Sequence, residues 1–204
     1  MENLRARYLR TVYFPVRQMR YNTRETIMGN LMQISEVILV DDEGRETGIM
    51  EKLEAHQKGV LHRAFSVFIM NSAGAMLLHQ RASQKYHSGG LWTNACCSHP
   101  QPGESIAEAA GRRLREEMGF SCDLQEFDYL VYFARFENGL TEYEYDHLLV
   151  GVYDGPVSPD PQEVQDSRFF SLEEIDTMLK ADPEMFTFWF RLAYPLVKGY
   201  LNGY

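Results

Sequence analysis

The sequence predicts an α+β layered domain, because its strand signals outnumber its helix signals, the strands come in hairpins, and one strongly amphipathic helix interrupts them midway. Residues 1–31 stand apart from that pattern. Arg5, Arg7, Arg10, Arg17, Arg20 and Arg24 are set there against only Glu2 and Glu25, with no apolar period, so the stretch reads as an N-terminal extension outside the core. It is Arg-rich like a transit peptide but has no serine, which weighs against a targeting role. Met28 and Met32 are alternative starts, and the expected domain spans 32–204. A first strand at 34–41 is closed by the turn Asp42-Glu43-Gly44, and strands at 64–70 and 75–80 flank the turn residues Asn71-Ser72-Ala73-Gly74. The helix follows at 105–118. Ser105 and Glu108 suit a capping box, Ile106, Ala109, Ala110, Leu114 and Met118 form one apolar stripe, and Gly119 ends it. Strands at 129–136 and 141–152 flank Glu137-Asn138-Gly139; 156–161 is a loop, and helices near 172–179 and 183–200 finish the chain.

With 204 residues, 45% of them apolar and 13% aromatic, the chain can bury a sizeable core in one domain. No apolar run approaches the roughly 20 residues of a membrane span, and the N-terminus lacks the apolar region of a secretory signal. A soluble, cytoplasmic protein without membrane contact is expected. Three cysteines, two of them adjacent, fit reduced thiols better than a disulfide framework. The net charge of -9 argues against nucleic acid as a partner. A small anionic substrate would need a local basic pocket or bridging metal ions.

The segment Thr93-Asn94-Ala95-Cys96-Cys97-Ser98-His99-Pro100 carries the chemistry. If it is extended, alternation puts Cys97 and His99 on one face and turns Cys96 to the other. Candidate metal ligands are His56, His62, His99, Glu142 and Glu144, a nitrogen-rich set suited to Mn, Fe, Co or Zn better than to Mg alone. Alternation places Glu142 and Glu144 side by side, where they repel unless a cation or solvent intervenes. On the helix, Glu117 follows Arg113 by four residues and shares its face. This is either a surface ion pair or an Mg²⁺-binding carboxylate beside a phosphate-binding guanidinium. Lys52, Arg81 and Lys85 could complete an anion pocket, and Tyr86 or His87 could line its entrance.

The loop at 137–139 decides whether Tyr132 joins the site. A two-residue Asn-Gly turn would pair Phe133 with Glu144 and send Tyr132 to the opposite face, whereas a three-residue loop with Gly139 left-handed sets Tyr132 across from Glu144. The three-residue loop or an equivalent bulge is expected.

Together, Leu61-His62-Arg63-Ala64-Phe65-Ser66, Trp92-Thr93-Asn94 running into Cys97-x-His99-Pro100, Gly103-Glu104-Ser105 and Glu142-x-Glu144 resemble type I isopentenyl diphosphate isomerase, over about residues 32–194. That resemblance implies a Nudix-like fold with mixed sheets layered by helices. The Nudix helix pattern can be laid over Ser98, Glu104, Arg112, Arg113, Leu114, Glu116, Glu117, Gly119 and Phe120, with Ser98 in place of a glycine and Arg113 in place of a glutamate. It implies interconversion of isopentenyl and dimethylallyl diphosphate through a carbocation. Cys97 and Glu144 are then the acid/base pair, Tyr132 supports the carboxylate, and the π face of Trp189 stabilises the cation. The first metal, Mn²⁺, Zn²⁺ or Mg²⁺, falls to His56, His62, His99, Glu142 and Glu144. Glu117 holds a second, diphosphate-bridging Mg²⁺, and Lys52, Arg81, Lys85 and Arg113 contact the diphosphate. A monomer or weak dimer is expected. The alternatives are a Nudix-type diphosphate hydrolase, which has no need of Cys97 or Trp189, and a silent binding protein with a structural metal.

Overall fold

A computed structural model describes residues 9–11, 35–85, 87–136 and 139–203. Strand β1 (Leu9–Thr11) runs parallel to a later strand, pairing Leu9 with Val131. Strands β2 (Glu36–Val40) and β3 (Glu46–Glu51) form a hairpin and lead into a short helix, α1 (Lys52–Lys58). Glu51 caps α1 by accepting from the backbone N–H groups of Leu53 and Glu54, and Gly59 ends it at φ 62°. A Cβ at Gly59 would also meet Thr141 at 3.2 Å.

Strand β4 (His62–Met70) is the centre of the fold. It pairs antiparallel with β5 (Ala75–Arg81), and the short strands β6 (Trp92–Thr93) and β7 (Cys96–Ser98) pair with β5 and β4 respectively. After α2 (Ile106–Met118), strands β8 (Leu124–Arg135) and β9 (Thr141–Val152) pair antiparallel, and β9 lies parallel to β4 from His62↔Glu144 to Met70↔Val152. β10 (Val164–Ser171) pairs with β5, and α3 (Leu172–Ala181), a 3-10 turn at Pro183–Met185 and α4 (Phe188–Leu201) close the chain.

Period-two alternation along β4 explains the layering. Phe65, Val67 and Ile69 are fully buried against Ala109, Ala110, Leu114 and Met118 of α2, while Phe68 and Met70 join Phe186, Phe190, Ala193 and Val197 on the α4 side. The α+β class is as expected, and the α2 capping box forms in both directions between Ser105 and Glu108.

Besides the short strands β1 and β6, three elements were not predicted. β3 is an edge strand with Gly48 and few apolar residues, α1 is too short to show a helical period, and β10 carries a polar Gln165-Asp166-Ser167 run. The helix expected at 183–200 is instead broken at Phe186, whose backbone is extended at φ -111° and ψ 150° and bridges to Trp92. Outside β1, the expected extension at 1–31 lies beyond the described residues, as does Tyr86.

Candidate active site

The β8–β9 register fixes the site's geometry. Phe136 N–H donates to the Leu140 carbonyl at 2.8 Å and Gly139 has φ 84°, so three residues make the loop; Glu137 and Asn138 lie outside the described residues. Tyr132 therefore stands directly across from Glu144. Its hydroxyl donates to Glu144 Oε2 at 2.6 Å and approaches Glu142 Oε2 at 3.2 Å.

Helix α1, strand β4 and the end of β7 bring His56, His62 and His99 together with Glu144, so that one ligand atom from each lies within 4.8 Å of the others. His56 Nδ1 contacts the Lys52 carbonyl at 2.7 Å and His62 Nδ1 the Val60 carbonyl at 2.8 Å. Those contacts put the ring protons on Nδ1 and leave each Nε2 with a lone pair. Among the described residues, His62 Nε2 is buried without a hydrogen-bond partner, which a metal would supply. Burial, and the neighbouring His62, push His56 below its ordinary value; burial together with Lys52 takes His99 down to about 3. Neutral imidazoles are the metal-binding form. This donor set fits a divalent cation. Glu142 lies outside the four-member cluster, beside Tyr132 and 3.4 Å from His87 Nε2.

Burial opposes charge on both carboxylates. It raises Glu142 well above the usual range, with the Glu144 charge adding to it, whereas at Glu144 the neighbouring His62, 3.7 Å away, and the hydrogen bond with His99 at 2.9 Å overcome burial and hold the group well below. One carboxyl is then a proton holder and its neighbour a carboxylate.

Cys97 pairs with Ser66 of β4 and faces the pocket, while Cys96, opposite Val67, is buried under α2. The alternation read from the sequence holds. Burial, reinforced by the charge of Asp146, pushes the Cys97 thiol up to about 12. Trp189 Nε1 donates to its sulfur at 3.0 Å. Cys97 and Glu144 line one pocket, part of it open to solvent.

The basic residues line the same pocket: Lys52, Arg81, Lys85 and Arg113. Burial lowers Lys52 from its ordinary value. Arg113 meets Glu117 at 2.5 Å, and the Arg81 guanidinium sits 5.3 Å from the Trp189 ring centroid with a buried Nε that has no partner among the described residues. The local cationic surface that the acidic net charge called for is present.

Sequence reasoning missed two carboxylates. Asp146 continues the Glu142, Glu144 alternation onto the same buried face and accepts from Ser66 Oγ at 2.8 Å, so extending the period by one step finds it. Glu163 pairs with Lys85 and lies 3.7 Å from Arg113. It is carried there by the β5–β10 pairing, for which the sequence has no local signal.

The NUDIX domain model matches residues 60–190. An isopentenyl-diphosphate Delta-isomerase of Burkholderia multivorans is 53% identical over 76% of this chain and 88% of its own length, and one of Pectobacterium atrosepticum is 47% identical over 85% and 97%. Among solved structures, a Deinococcus radiodurans protein aligns with TM-score 0.60 at 16% identity, over 72% of this chain and 90% of that one. A MutT NUDIX hydrolase from Burkholderia pseudomallei aligns at 0.52 and 17%, over 65% and 95%. Those two likenesses concern the fold.

Proposed function

The chain belongs to the isopentenyl-diphosphate Delta-isomerase family and has its Nudix fold, and from that membership we infer that it interconverts isopentenyl and dimethylallyl diphosphate. The observation that carries the reading is the placement of a half-buried thiol, Cys97, and a histidine-held carboxylate, Glu144, in one pocket with Trp189 against the sulfur. Protonating an unactivated alkene makes a tertiary carbocation, so one group must deliver a proton to one face while the other removes a proton from the neighbouring carbon. Cys97 and Glu144 are that pair, and their labels exchange in the reverse direction.

Tyr132 orients the Glu144 carboxylate through its 2.6 Å hydrogen bond. Trp189 offers an aromatic face to the cation without a nucleophilic lone pair. Lys52, Arg81, Lys85 and Arg113 hold the diphosphate. His56, His62, His99 and Glu144, with Glu142 adjoining, would hold the first divalent cation, Mn²⁺, Zn²⁺ or Mg²⁺, and Glu117 a diphosphate-bridging Mg²⁺. Held there, such cations would supply positive charge against the diphosphate. In the Nudix helix pattern, Arg113 replaces a glutamate, and a cation there suits holding a diphosphate intact.

The test is incubation of the protein with isopentenyl diphosphate and Mg²⁺. Dimethylallyl diphosphate should appear without release of phosphate, and Cys97→Ala should lose at least about 10²-fold of the rate with fold and metal content unchanged. Release of phosphate would make the protein a hydrolase, and normal turnover by the variant would remove Cys97 from the chemistry.

A further inference from the structure

Thr187 occupies the N-cap of α4, yet its side chain makes no capping hydrogen bond. A threonine there ordinarily bonds a first-turn N–H, so the departure needs a cause. The hydroxyl donates instead to Thr93 Oγ1 at 2.9 Å, and Thr93 Oγ1 donates to Asn94 Oδ1 at 3.0 Å. Asn94 cannot turn over. Its Nδ2 donates to the carbonyls of Val67 at 3.1 Å and Cys96 at 2.8 Å, so Oδ1 must face Thr93 and the Cys97 sulfur, which lies 3.0 Å away. Thr93, Asn94 and Thr187 are all fully buried.

The sulfur thus sits between an acceptor and a donor, Asn94 Oδ1 and Trp189 Nε1, each at 3.0 Å. Ser66 Oγ at 3.7 Å and Thr93 Oγ1 at 4.0 Å are farther. We propose that the buried chain Thr187–Thr93–Asn94 is a positioning device, which points the Cys97 S–H at Asn94 Oδ1 and keeps a sulfur lone pair on the Trp189 N–H. The same junction seats Trp189, because Thr187 N–H donates to the Trp92 carbonyl at 2.9 Å, two residues before the indole. One hydrogen-bonded unit therefore sets both the thiol and its aromatic neighbour. This rests on the reading of Cys97 as an acid/base group, and Asn94, Thr93 and Thr187 act through it.

Infrared spectra of the S–H stretch, with the Cys97 band assigned by its loss in Cys97→Ala, test the orientation without any turnover. Asn94→Ala removes the acceptor and should move the band to higher frequency. Thr93→Val leaves Oδ1 with one donor fewer, so the thiol bond strengthens and the band should move the opposite way, while Thr93→Ser restores the wild-type position. In the isomerase assay, Asn94→Ala should lower kcat roughly tenfold, about the worth of one hydrogen bond, at unchanged KM. Should Asn94→Ala fail to fold, the Thr93→Val and Thr93→Ser pair decides alone. A Cys97 band that stays in place in the variants overturns the proposal, as does a loss that appears in KM instead of kcat. Inactive wild-type protein would count against the reading of Cys97, and the infrared shifts would still decide the orientation.

Discussion

Tyr132→Phe removes one oxygen atom from the centre of the site and nothing else. The phenol is buried and donates to Glu144 Oε2 at 2.6 Å, with Glu142 Oε2 at 3.2 Å sharing the same hydrogen. Burial and the two carboxylates beside it raise the Tyr132 hydroxyl well above its ordinary value, so it stays a donor at every working pH. A hydrogen bond to a charged group contributes about 1.5–3 kcal/mol, which corresponds to a factor of about 10 to 150 in rate. The phenyl ring keeps its contacts with Phe188 and leaves no methylene-sized hole. We therefore expect kcat for isopentenyl diphosphate to fall by that factor with a far smaller change in KM, since the Tyr132 hydroxyl bonds the carboxylates and none of the pocket's basic residues. The assay is product formation under saturating substrate, with thermal unfolding as the control. Tyr143→Phe, one residue from both carboxylates but turned toward Phe133, should leave the rate intact. A folded Tyr132→Phe protein with kcat within about twofold of wild type would refute the idea that this hydroxyl orients the carboxylate.

Arg81→Gln should raise KM for the diphosphate substrate about 10- to 100-fold, because its buried Nε has no partner within the described protein and its head lies over Trp189; steady-state kinetics with unchanged KM would assign Arg81 a structural role. His79, on β5, is buried and neutral, with its value taken down by burial to about 3 from 6.5. Between those values the unfolded chain binds a proton that the folded chain refuses, so stability falls as pH drops from 6.5, by about 1.4 kcal/mol per pH unit and on the order of 5 kcal/mol in all. Denaturant titrations of His79→Gln at fixed metal content should lack that part of the slope, and identical pH profiles would show that His79 already carries a proton when folded.

What was legible in the sequence was whatever depends on a local period or a local cap. The Glu142, Glu144 alternation, the Ser105–Glu108 box and the Gly139 turn each need only neighbouring residues, and each led to a correct placement. His56 was the least legible ligand candidate because α1 has only seven residues and takes its cap from Glu51, a residue type outside the usual capping set. Glu163 was invisible for a different reason. Its position follows from the pairing of β10 with β5, residues about eighty apart, and no window of sequence reports such a contact. The broken last helix belongs with it, since Phe186 leaves helical geometry to bridge Trp92, a contact that helix propensity does not contain.

Strand β4 ties the two halves of the chemistry to one register. On one side His62 pairs with Glu144 of β9, and on the other Ser66 pairs with Cys97 of β7. Both pairs use even-numbered β4 positions, whose side chains share a face, while the odd positions Phe65, Val67 and Ile69 are buried under α2. A slip of one residue between β4 and β7 would turn Cys97 under α2 and bring Cys96 to the pocket in its place; a slip against β9 would do the same to Glu144 and Tyr145. The apolar run that buries β4 therefore also sets the placement of Cys97 and Glu144, because a shift of β4 that moves either of them away from the pocket also moves Phe65, Val67 and Ile69 out of their packing under α2. Core packing and site alignment are then one constraint, which accounts for a thiol and a carboxylate 47 residues apart in sequence holding a fixed relation without any direct bond between them.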